Sequence, residues 1–406
     1  MGQRVAVNAE PSQVPVRIAV VIPTRNRQPL AMEAVQSLLD QAPRLDIVVC
    51  DNSTSPGPLQ DFCRGRPSVH YLRPPAELSM PANWDYAVRT AMEMSPATHF
   101  SVHYDRKLSK PGAWAPLARL AGRFPDRLIT FGADVVAAHP PPLRLWQTPW
   151  TGGVYAIGSA KVAQLLATGH VGRISHLLPI FSNCLVPRPI LERIVGNFGD
   201  LCDSTGPDSA FMWRFLAFEP GYLHLDRPMG IYYASHRSTG VGYLRNEGGD
   251  FPDFMKTYGE RQWLEAAPVP GLNLGQNLLY HEHELVRRRT GDRLPPLDRA
   301  AVLDDMAGFL QWVADPELKD RFRALLRENG WTGSEPEPYP PRAWRSVAWE
   351  MLTRLRMKAQ GFDPPHICGF SFRSDEKALD FALRYPRRPE PSRTHLELVE
   401  PEAIES

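Results

Sequence analysis

Three side chains capable of acid–base or metal chemistry follow one apolar stretch near residue 100. The segment 99–107 reads His-Phe-Ser-Val-His-Tyr-Asp-Arg-Lys, and its apolar part, which ends at Val102, predicts a buried strand. His103, Tyr104 and Asp105 would then lie at the carboxyl end of that strand, where open α/β sheets bind their ligands. The Asp105 carboxylate is a hard oxygen ligand of the kind that divalent cations prefer. The sequence therefore predicts a ligand site with a cation at this strand end.

A second carboxylate stands at a predicted helix start. Pro207 suits the first position of a helix, and the segment 209–218 continues it with apolar residues at helical spacing. Asp208 would lie in the first turn, where the helix dipole favours the ionised form, and an ionised carboxylate can accept a proton. The alternative is that Asp208 only stabilises the helix terminus, a common role worth about 0.3 to 1 kcal/mol.

The N-terminal third predicts the elements that position such groups. An apolar, β-branched strand over 17–22 precedes a helix over 29–39, and a second strand covers 46–50. Strand, helix and strand at this spacing form a βαβ unit, and such units build parallel sheets with right-handed crossovers. A third strand at 69–72 and a helix over 82–92 extend the pattern, so the predicted fold class is α/β.

The two loops of this βαβ unit carry a family resemblance. The segments VIPTRNR and DIVVCDNSTS, in this order, resemble the opening of family 2 glycosyltransferases, which have the GT-A fold, a Rossmann-like, mostly parallel sheet with flanking helices. The resemblance implies that Pro23, Thr24 and Arg25 line the nucleotide base and that Asp51 accepts hydrogen bonds from base or ribose. It also places Asn83 towards the diphosphate. The alternative for Asp51 is a turn cap, and for Asn83 an ordinary first-turn helix residue.

The segment around Asp105 resembles the short acidic metal-binding motif of GT-A enzymes. In that motif two aspartates flank one residue, whereas here His103 replaces the first aspartate. The resemblance implies that Asp105 binds manganese or magnesium, that His103 and Tyr104 lie beside the nucleotide, and that His236, in a late polar loop, contributes a further metal ligand. It also implies that Asp208 is the general base.

The expected function is therefore sugar transfer with inversion. The donor would be a nucleoside diphosphate sugar, with UDP as the expected nucleotide, and the acceptor a hydroxyl group in glycan or glycoconjugate biosynthesis. One alternative is a degenerate GT-A domain that serves as a binding or scaffold module, because the first acidic position is lost at His103. A nicotinamide-dependent oxidoreductase is disfavoured, because the turn at 23–27 lacks the glycines that such a site needs.

Composition restricts partners and location. The chain has 46 basic and 45 acidic residues, so its balance gives no indication of a nucleic-acid partner. Its five cysteines lack paired spacing, which argues against a disulfide framework and fits a reducing cytosol. The apolar run Ile18–Ile22 is too short to span a bilayer. We therefore expect a cytoplasmic protein, and the sequence leaves its oligomeric state open.

The chain divides into four predicted parts: a polar leader at 1–16, the GT-A domain at 17–245, a helical region at 246–385 and a flexible tail at 386–406. In the helical region, a basic helix over 342–360 could lie on the inner face of an anionic membrane or pack on the catalytic domain. The run His-Glu-His-Glu at 281–284 resembles a metal-ligand cluster. Residues two apart on a helix do not face each other, so the prediction is a solvated helical surface.

Overall fold

The computed structural model describes residues 15–55, 57–137, 144–147, 150–234, 264–310, 313, 315–334, 370–371, 383 and 402–404. Within these ranges the strands form a single mixed sheet. The strands are β1 (Ile18–Thr24), β2 (Asp46–Asp51), β3 (Val69–Leu72), β4 (His99–Val102), β5 (Lys107–Ser109), β6 (Ile129–Ala137), β7 (Arg144–Trp146), β8 (Val154–Gly158), β9 (Cys184–Pro187), β10 (Gly221–Ala234), β11 (Phe370–Ser371) and β12 (Glu402–Ile404).

Helices flank this sheet and continue beyond it. They are α1 (Gln28–Leu39), α2 (Pro58–Cys63), α3 (Met80–Met94), α4 (Trp114–Arg123), α5 (Ser159–Ala167), α6 (Val171–Ile174), α7 (Arg188–Phe198), α8 (Pro207–Phe218), α9 (Gly275–Thr290), α10 (Arg299–Phe309) and α11 (Pro316–Glu328). Two short 3₁₀ turns, Ser175–Leu177 and Phe181–Asn183, precede β9. The predicted helix over 342–360 lies outside the described residues.

The first four strands form a parallel unit in the order β3–β2–β1–β4. In the register of β1 with β2, Thr24 lies opposite Asp51. Every residue of β1 is buried, as expected for a strand covered by helices on both faces. The α/β prediction is confirmed, and the carboxyl ends of β1, β2 and β4 meet at one edge of the sheet.

The second half of the sheet mixes directions. Strand β9 runs antiparallel to both β4 and β6, while β6 and β10 are parallel. The apolar sequence LLPIFSNCLV at 177–186 is typical of one buried strand, but only its end belongs to β9, because the two 3₁₀ turns interrupt the segment. Conversely, the segments 222–225 and 231–233, which the sequence pattern indicates as two short strands, form the single strand β10, with register shifts between Leu225 and Gly230.

The core lies on both faces of the sheet. Alternate residues of β1 point to opposite sides, so that Val20 and Ile22 pack in one cluster, whereas Ala19 and Val21 pack in the other. The second cluster continues into the C-terminal helices through residues such as Val302 on α10 and Phe322 on α11. The predicted helical appendage is therefore present and shares a core with the sheet.

One sequence prediction about this region is wrong. His281, Glu282 and His283 on α9 are buried, at 1%, 1% and 0% exposure, instead of forming a solvated surface. The reason is that α9 packs against α8. His281 and Glu282 reach the turn before α8, where hydrogen bonds compensate for the lost water, whereas His283 packs on the Trp213 ring and lies 2.9 Å from Pro295 O.

Within the described ranges, no helix combines the length and apolar character needed to cross a membrane.

Candidate active site

The turn between β1 and α1 is bound to the loop after β2. Arg25 donates from Nη1 to the backbone oxygen of Asn52 at 3.1 Å and forms an ion pair with Glu77 at 2.7 Å. Asn26 adopts a left-handed conformation with φ of 53°, and its side-chain oxygen accepts from the backbone nitrogen of Thr54 at 3.0 Å. The two loops that carry the nucleotide resemblance therefore form one surface, with Pro23 and Thr24 buried beneath it.

Asp51 lies fully buried under this surface. Its Oδ2 accepts hydrogen bonds from Gln28 Nε2 at 3.1 Å and from the Tyr71 hydroxyl at 3.0 Å. Its Oδ1 accepts from the backbone nitrogen of Ser53 at 3.0 Å and also from the Ser53 hydroxyl. The carboxylate therefore holds β2, β3 and α1 together, and a nucleotide would have to share or displace these donors.

Asn83 is the predicted diphosphate contact on α3. Ser79 caps this helix by accepting from the backbone nitrogen of Ala82, as serine commonly does at helix starts. Asn83 is 4% exposed, and its Oδ1 accepts from Cys50 Sγ at 3.3 Å. The structure therefore places Asn83 against the end of β2, on the inner side of the nucleotide loops.

Asp105 forms an ion pair with Arg27, a residue that the sequence did not indicate as part of the site. Its Oδ2 lies 3.1 Å from Arg27 Nε and accepts from Thr24 Oγ1 at 2.8 Å, and the side chain is 3% exposed. Thr24 and Asp105 are 81 positions apart in the sequence, and they are in contact because β1 and β4 are neighbouring parallel strands that end at the same edge of the sheet.

These surroundings fit a divalent cation poorly. The Arg27 guanidinium contacts Asp105, the one carboxylate that the acidic motif retains. A divalent cation bound to Asp105 would have to displace this guanidinium. The described part of the chain contains no group of three or more His, Cys, Asp or Glu side chains placed to bind a metal. His236, the second predicted metal ligand, lies outside the described residues.

His103 supports the loop that carries Tyr104 and Asp105. Its ring is 2% exposed, and Nε2 lies 2.8 Å from the backbone oxygen of Lys107, which makes this nitrogen the donor. Burial, together with the charge of Lys107, lowers the pKa of His103 well below its usual value, so the ring is neutral at neutral pH. A neutral ring that donates to the backbone closes the turn between β4 and β5.

Lys107 is also buried and reaches a second loop. Its Nζ donates to the backbone oxygen of Ser182 at 2.7 Å and to Asn183 Oδ1 at 2.9 Å. Burial lowers the pKa of this ammonium group to about 7. The Lys107 side chain therefore fixes the 3₁₀ turn at Phe181–Asn183 to the start of β5.

Tyr104 and Asp208 are brought into direct contact. The Tyr104 hydroxyl donates to Asp208 Oδ2, and the backbone nitrogen of Ser182 donates to Asp208 Oδ1 at 3.1 Å. Asp208 lies in the first turn of α8, as predicted, and is partly buried. The predicted base and the predicted nucleotide motif therefore belong to one cluster.

The electrostatic surroundings of Asp208 favour proton uptake. Burial raises the pKa of its carboxyl above the ordinary value, while the hydrogen bonds from Tyr104 and Ser182 act in the opposite direction. A carboxylate with a raised pKa is a stronger base, provided that it is ionised at the working pH.

A second arginine lies beside this cluster. The Arg106 guanidinium carbon is 5.6 Å from the centre of the Tyr104 ring. Burial and the nearby charge of Arg27 both lower the pKa of Arg106, with Asp105 acting in the opposite direction. Two guanidinium groups close enough to repel each other attract an anion.

The structure adds two groups to the predicted site: Arg27 and the turn at Phe181–Asn183. Arg27 stands in the VIPTRNR segment, beside predicted site residues. Lys107, two residues after Asp105, suggests from its charge and position a phosphate contact or a solvent-facing side chain, but the structure directs its Nζ to Ser182 and Asn183. Nothing in the sequence around Ser182 indicated that its backbone nitrogen would bind Asp208.

Residues 19–93, from β1 into α3, match the family described as Glycosyl transferase family 2. This match confirms the family resemblance of the two nucleotide loops, and glycosyl transfer is the class of reaction that it supports. No curated protein sequence matches this chain.

Two solved structures show weak similarity to the chain. The crystal structure of S. aureus TarS is 12% identical, with a TM-score of 0.42, and the match covers 77% of this chain and 54% of that one. The crystal structure of S. aureus TarS 1-349 is 14% identical, with a TM-score of 0.41, and the match covers 77% and 89%. This chain therefore spans about half the length of the first. Likenesses this weak indicate neither an activity nor a substrate.

Proposed function

We propose that the protein transfers a sugar from a UDP-sugar to a hydroxyl acceptor with inversion at the anomeric carbon, and that Asp208 is the general base. The observation that carries this proposal is the Tyr104–Asp208 contact. It joins a partly buried carboxylate to the end of β4, where the family resemblance places the donor. A base there takes the acceptor proton while the nucleotide diphosphate departs.

The nucleotide half of the proposal rests on the loops after β1 and β2. Pro23, Thr24 and Arg25 lie in the matched range, beside Asn52 and above the buried Asp51. In this proposal the loops bind the uracil and ribose, Asp51 keeps them in shape, and Asn83 supports the end of β2 from below. Tyr104 lies between the nucleotide and Asp208.

The diphosphate charge requires cationic partners. Arg27 and Arg106 lie next to the Asp105 carboxylate and repel each other, so a diphosphate placed against them gains from both charges. Positive groups aimed at the leaving group stabilise the charge that develops as the sugar–phosphate bond breaks. We assign this role to the two arginines, because Asp105 is already paired.

A catalytically degenerate binding module is the second candidate. The observation that favours it is again the Asp105 contact with Arg27 and Thr24, which engages the remaining carboxylate of the acidic motif. Such a module would bind a nucleotide sugar without releasing the nucleotide.

The test begins with thermal-shift measurements against a panel of UDP-, GDP- and CDP-sugars, with and without manganese, since a ligand that binds the folded state raises stability more the tighter it binds. We expect UDP-sugars to give the largest shift. UDP release from the best donor then separates an enzyme from a binding module. A larger shift with GDP- or CDP-sugars would contradict the UDP assignment, and a shift without UDP release would support the binding module.

A pair of variants tests the diphosphate contact. Arg106→Gln should weaken UDP binding about tenfold, since one charge-assisted contact is worth about 1.5 to 3 kcal/mol before screening. Arg193→Gln is the matched control, because Arg193 pairs with Glu219 on an exposed surface at 2.7 Å. Equal affinity of both variants would remove Arg106 from the site.

A further inference from the structure

The turn that leads into α8 is held by a carboxylate from the C-terminal helical region. Glu282, on α9, accepts hydrogen bonds from Ser204 Oγ at 2.7 Å and from the backbone nitrogens of Thr205 and Gly206, both at 2.8 Å. Its side chain is 1% exposed. Asp208 follows Gly206 by two positions, so this turn sets where α8 begins.

His281 binds the same turn from one helix position earlier. Its Nδ1 accepts from the backbone nitrogen of Ala266 at 3.1 Å, so the proton of the neutral ring is on Nε2, which donates to Thr205 Oγ1 at 3.1 Å. Burial lowers the pKa of His281 to about 4, which keeps the ring neutral at neutral pH. Thr205 is therefore held through both its backbone and its hydroxyl group.

Gly206 packs closely against Leu278 on α9. A Cβ atom at Gly206 would lie 2.9 Å from Leu278 Cδ2, so the absence of a side chain lets the two segments approach. Further along α8, Trp213 Nε1 donates to the backbone oxygen of Leu279 at 2.9 Å. Helix α9 thus contacts α8 both at its start and in its middle.

Glu282 is a buried carboxylate, so it needs hydrogen-bond donors in place of water. Burying an ionised group is unfavourable unless hydrogen bonds replace its water. Burial raises the pKa of Glu282, and the hydrogen bonds from Gly206, Ser204 and Thr205 act in the opposite direction. Two of the three donors are backbone N–H groups at the start of a helix, which lack partners within the helix itself. Glu284, two positions further on, contacts His283 at 3.2 Å instead.

We propose that Glu282 is a positioning residue for glycosyl transfer: it orders the turn at 204–206 and so holds the Asp208 carboxylate against Tyr104. This inference rests on the proposed role of Asp208 as general base. The position of Asp208 would then depend on α9, which lies in the C-terminal helical region and outside the residues 19–93 that match the family. Glu282 itself touches no substrate in this scheme.

The first test is hydrogen exchange of the full-length protein, followed on a peptide that covers residues 201–211. Glu282→Ala should speed exchange of the Thr205 and Gly206 amides by about 10- to 100-fold, because both lose a charged acceptor. Glu282→Gln keeps one oxygen that can accept from both amides, so its exchange should stay within about threefold of wild type. Glu284→Ala is the matched control on the same helix and should leave these amides unchanged.

The second test is a double-mutant cycle on UDP release, with the UDP-sugar that stabilises the protein most in the thermal-shift panel. Glu282→Ala should lower kcat by about 10- to 100-fold, since a displacement of about 1 Å has an effect of that size, while the donor Kd stays within about threefold. In the Asp208→Asn background, Glu282→Ala should have almost no further effect, because the group it positions is already absent.

The outcomes separate this inference from the proposed function. Unchanged amide exchange in Glu282→Ala, or an equal loss of kcat with and without Asp208, would overturn the positioning role. The equal loss would indicate a general effect on folding. Wild-type UDP release by Asp208→Asn would instead refute the proposed base, whatever the exchange data show. Recovery of both exchange and kcat in Glu282→Gln would support the inference even if Glu282→Ala folds poorly.

Discussion

Tyr104 donates a hydrogen bond from its hydroxyl group to the carboxylate of Asp208, 104 positions further along the chain. The Tyr104 ring is held in place by Trp84, with ring centres 5.5 Å apart, and by Tyr232 at 6.4 Å. Because the ring is fixed on two sides, the hydroxyl group gives the carboxylate a defined orientation. The contact therefore connects the end of β4 to the helix that carries the proposed base.

Asp208→Asn should abolish most of the turnover. Asparagine keeps the shape and one oxygen that can accept a hydrogen bond, but it cannot take up the acceptor proton, so we expect a loss of about two to four orders of magnitude in kcat with donor affinity retained. Transfer kinetics and calorimetry with UDP measure the two effects. Asp203→Asn, which changes the carboxylate just before the turn at 204–206, is the control and should keep normal turnover. Normal turnover of the Asp208 variant would contradict the proposed base.

Tyr104→Phe should change the pH dependence of the reaction. Activity is lost as pH falls through the pKa of the base, which burial already raises and the Tyr104 hydrogen bond partly lowers. Without that hydroxyl group the pKa rises further, so the acidic limb of the pH–rate profile should move to higher pH. Tyr222→Phe removes a buried hydroxyl that donates to Leu177 O at 2.8 Å, and it should leave the limb in place.

UDP binding should persist in a chelator. Asp105 is paired with Arg27 at 3.1 Å, so we expect the UDP affinity in EDTA to lie within about threefold of that in manganese, measured by calorimetry. Arg27→Met leaves Asp105 without its ion pair and should make manganese binding detectable there. Loss of UDP binding in EDTA would show that the Asp105–Arg27 pair opens to admit a cation.

Asp51→Ala should affect both stability and binding. The carboxylate accepts from Gln28, Ser53 and Tyr71 while fully buried, so its removal leaves several donors unsatisfied and should lower the free energy of unfolding by about 2 to 4 kcal/mol. Urea denaturation measures this change. The UDP affinity should fall as well, because the nucleotide loops lose their support, and a variant of normal stability would contradict the buried network.

Lys107→Met should remove a pH dependence of stability. In the unfolded chain this lysine holds its proton up to about pH 10.5, whereas burial lowers its pKa to about 7 in the folded protein. Between these values the unfolded state binds more protons, so wild-type stability should rise with pH from 7 to 9, relative to the variant, by up to about 1.4 kcal/mol per unit. Urea midpoints of both proteins at pH 7, 8 and 9 test this, and parallel curves would contradict it.

The positions of Asp105 and Asp208 in the fold were predictable from the sequence, because local signals mark the elements beside them. The apolar run that ends at Val102 places Asp105 after a strand, and Pro207 places Asp208 in the first turn of a helix. Their partners were not predictable, since the Asp105–Arg27 pair depends on how two loops fold over the sheet. The polar run on α9 suggested solvent, because charged residues are rarely buried unless paired, and its pairing with residues 204–206 is set by tertiary packing.

Helix α8 is buried on nearly all sides: beyond its first turn, residues 210–217 are all buried. Phe211 stacks on Phe181 at 4.0 Å on one side, and Trp213 reaches α9 on the other. A shortened protein that ended near residue 245 would expose the α9-facing side of this helix, including the Trp213 indole, to water. Such a fragment would be expected to aggregate or to unfold around Asp208, so attempts to isolate a minimal enzyme should retain the chain through α11.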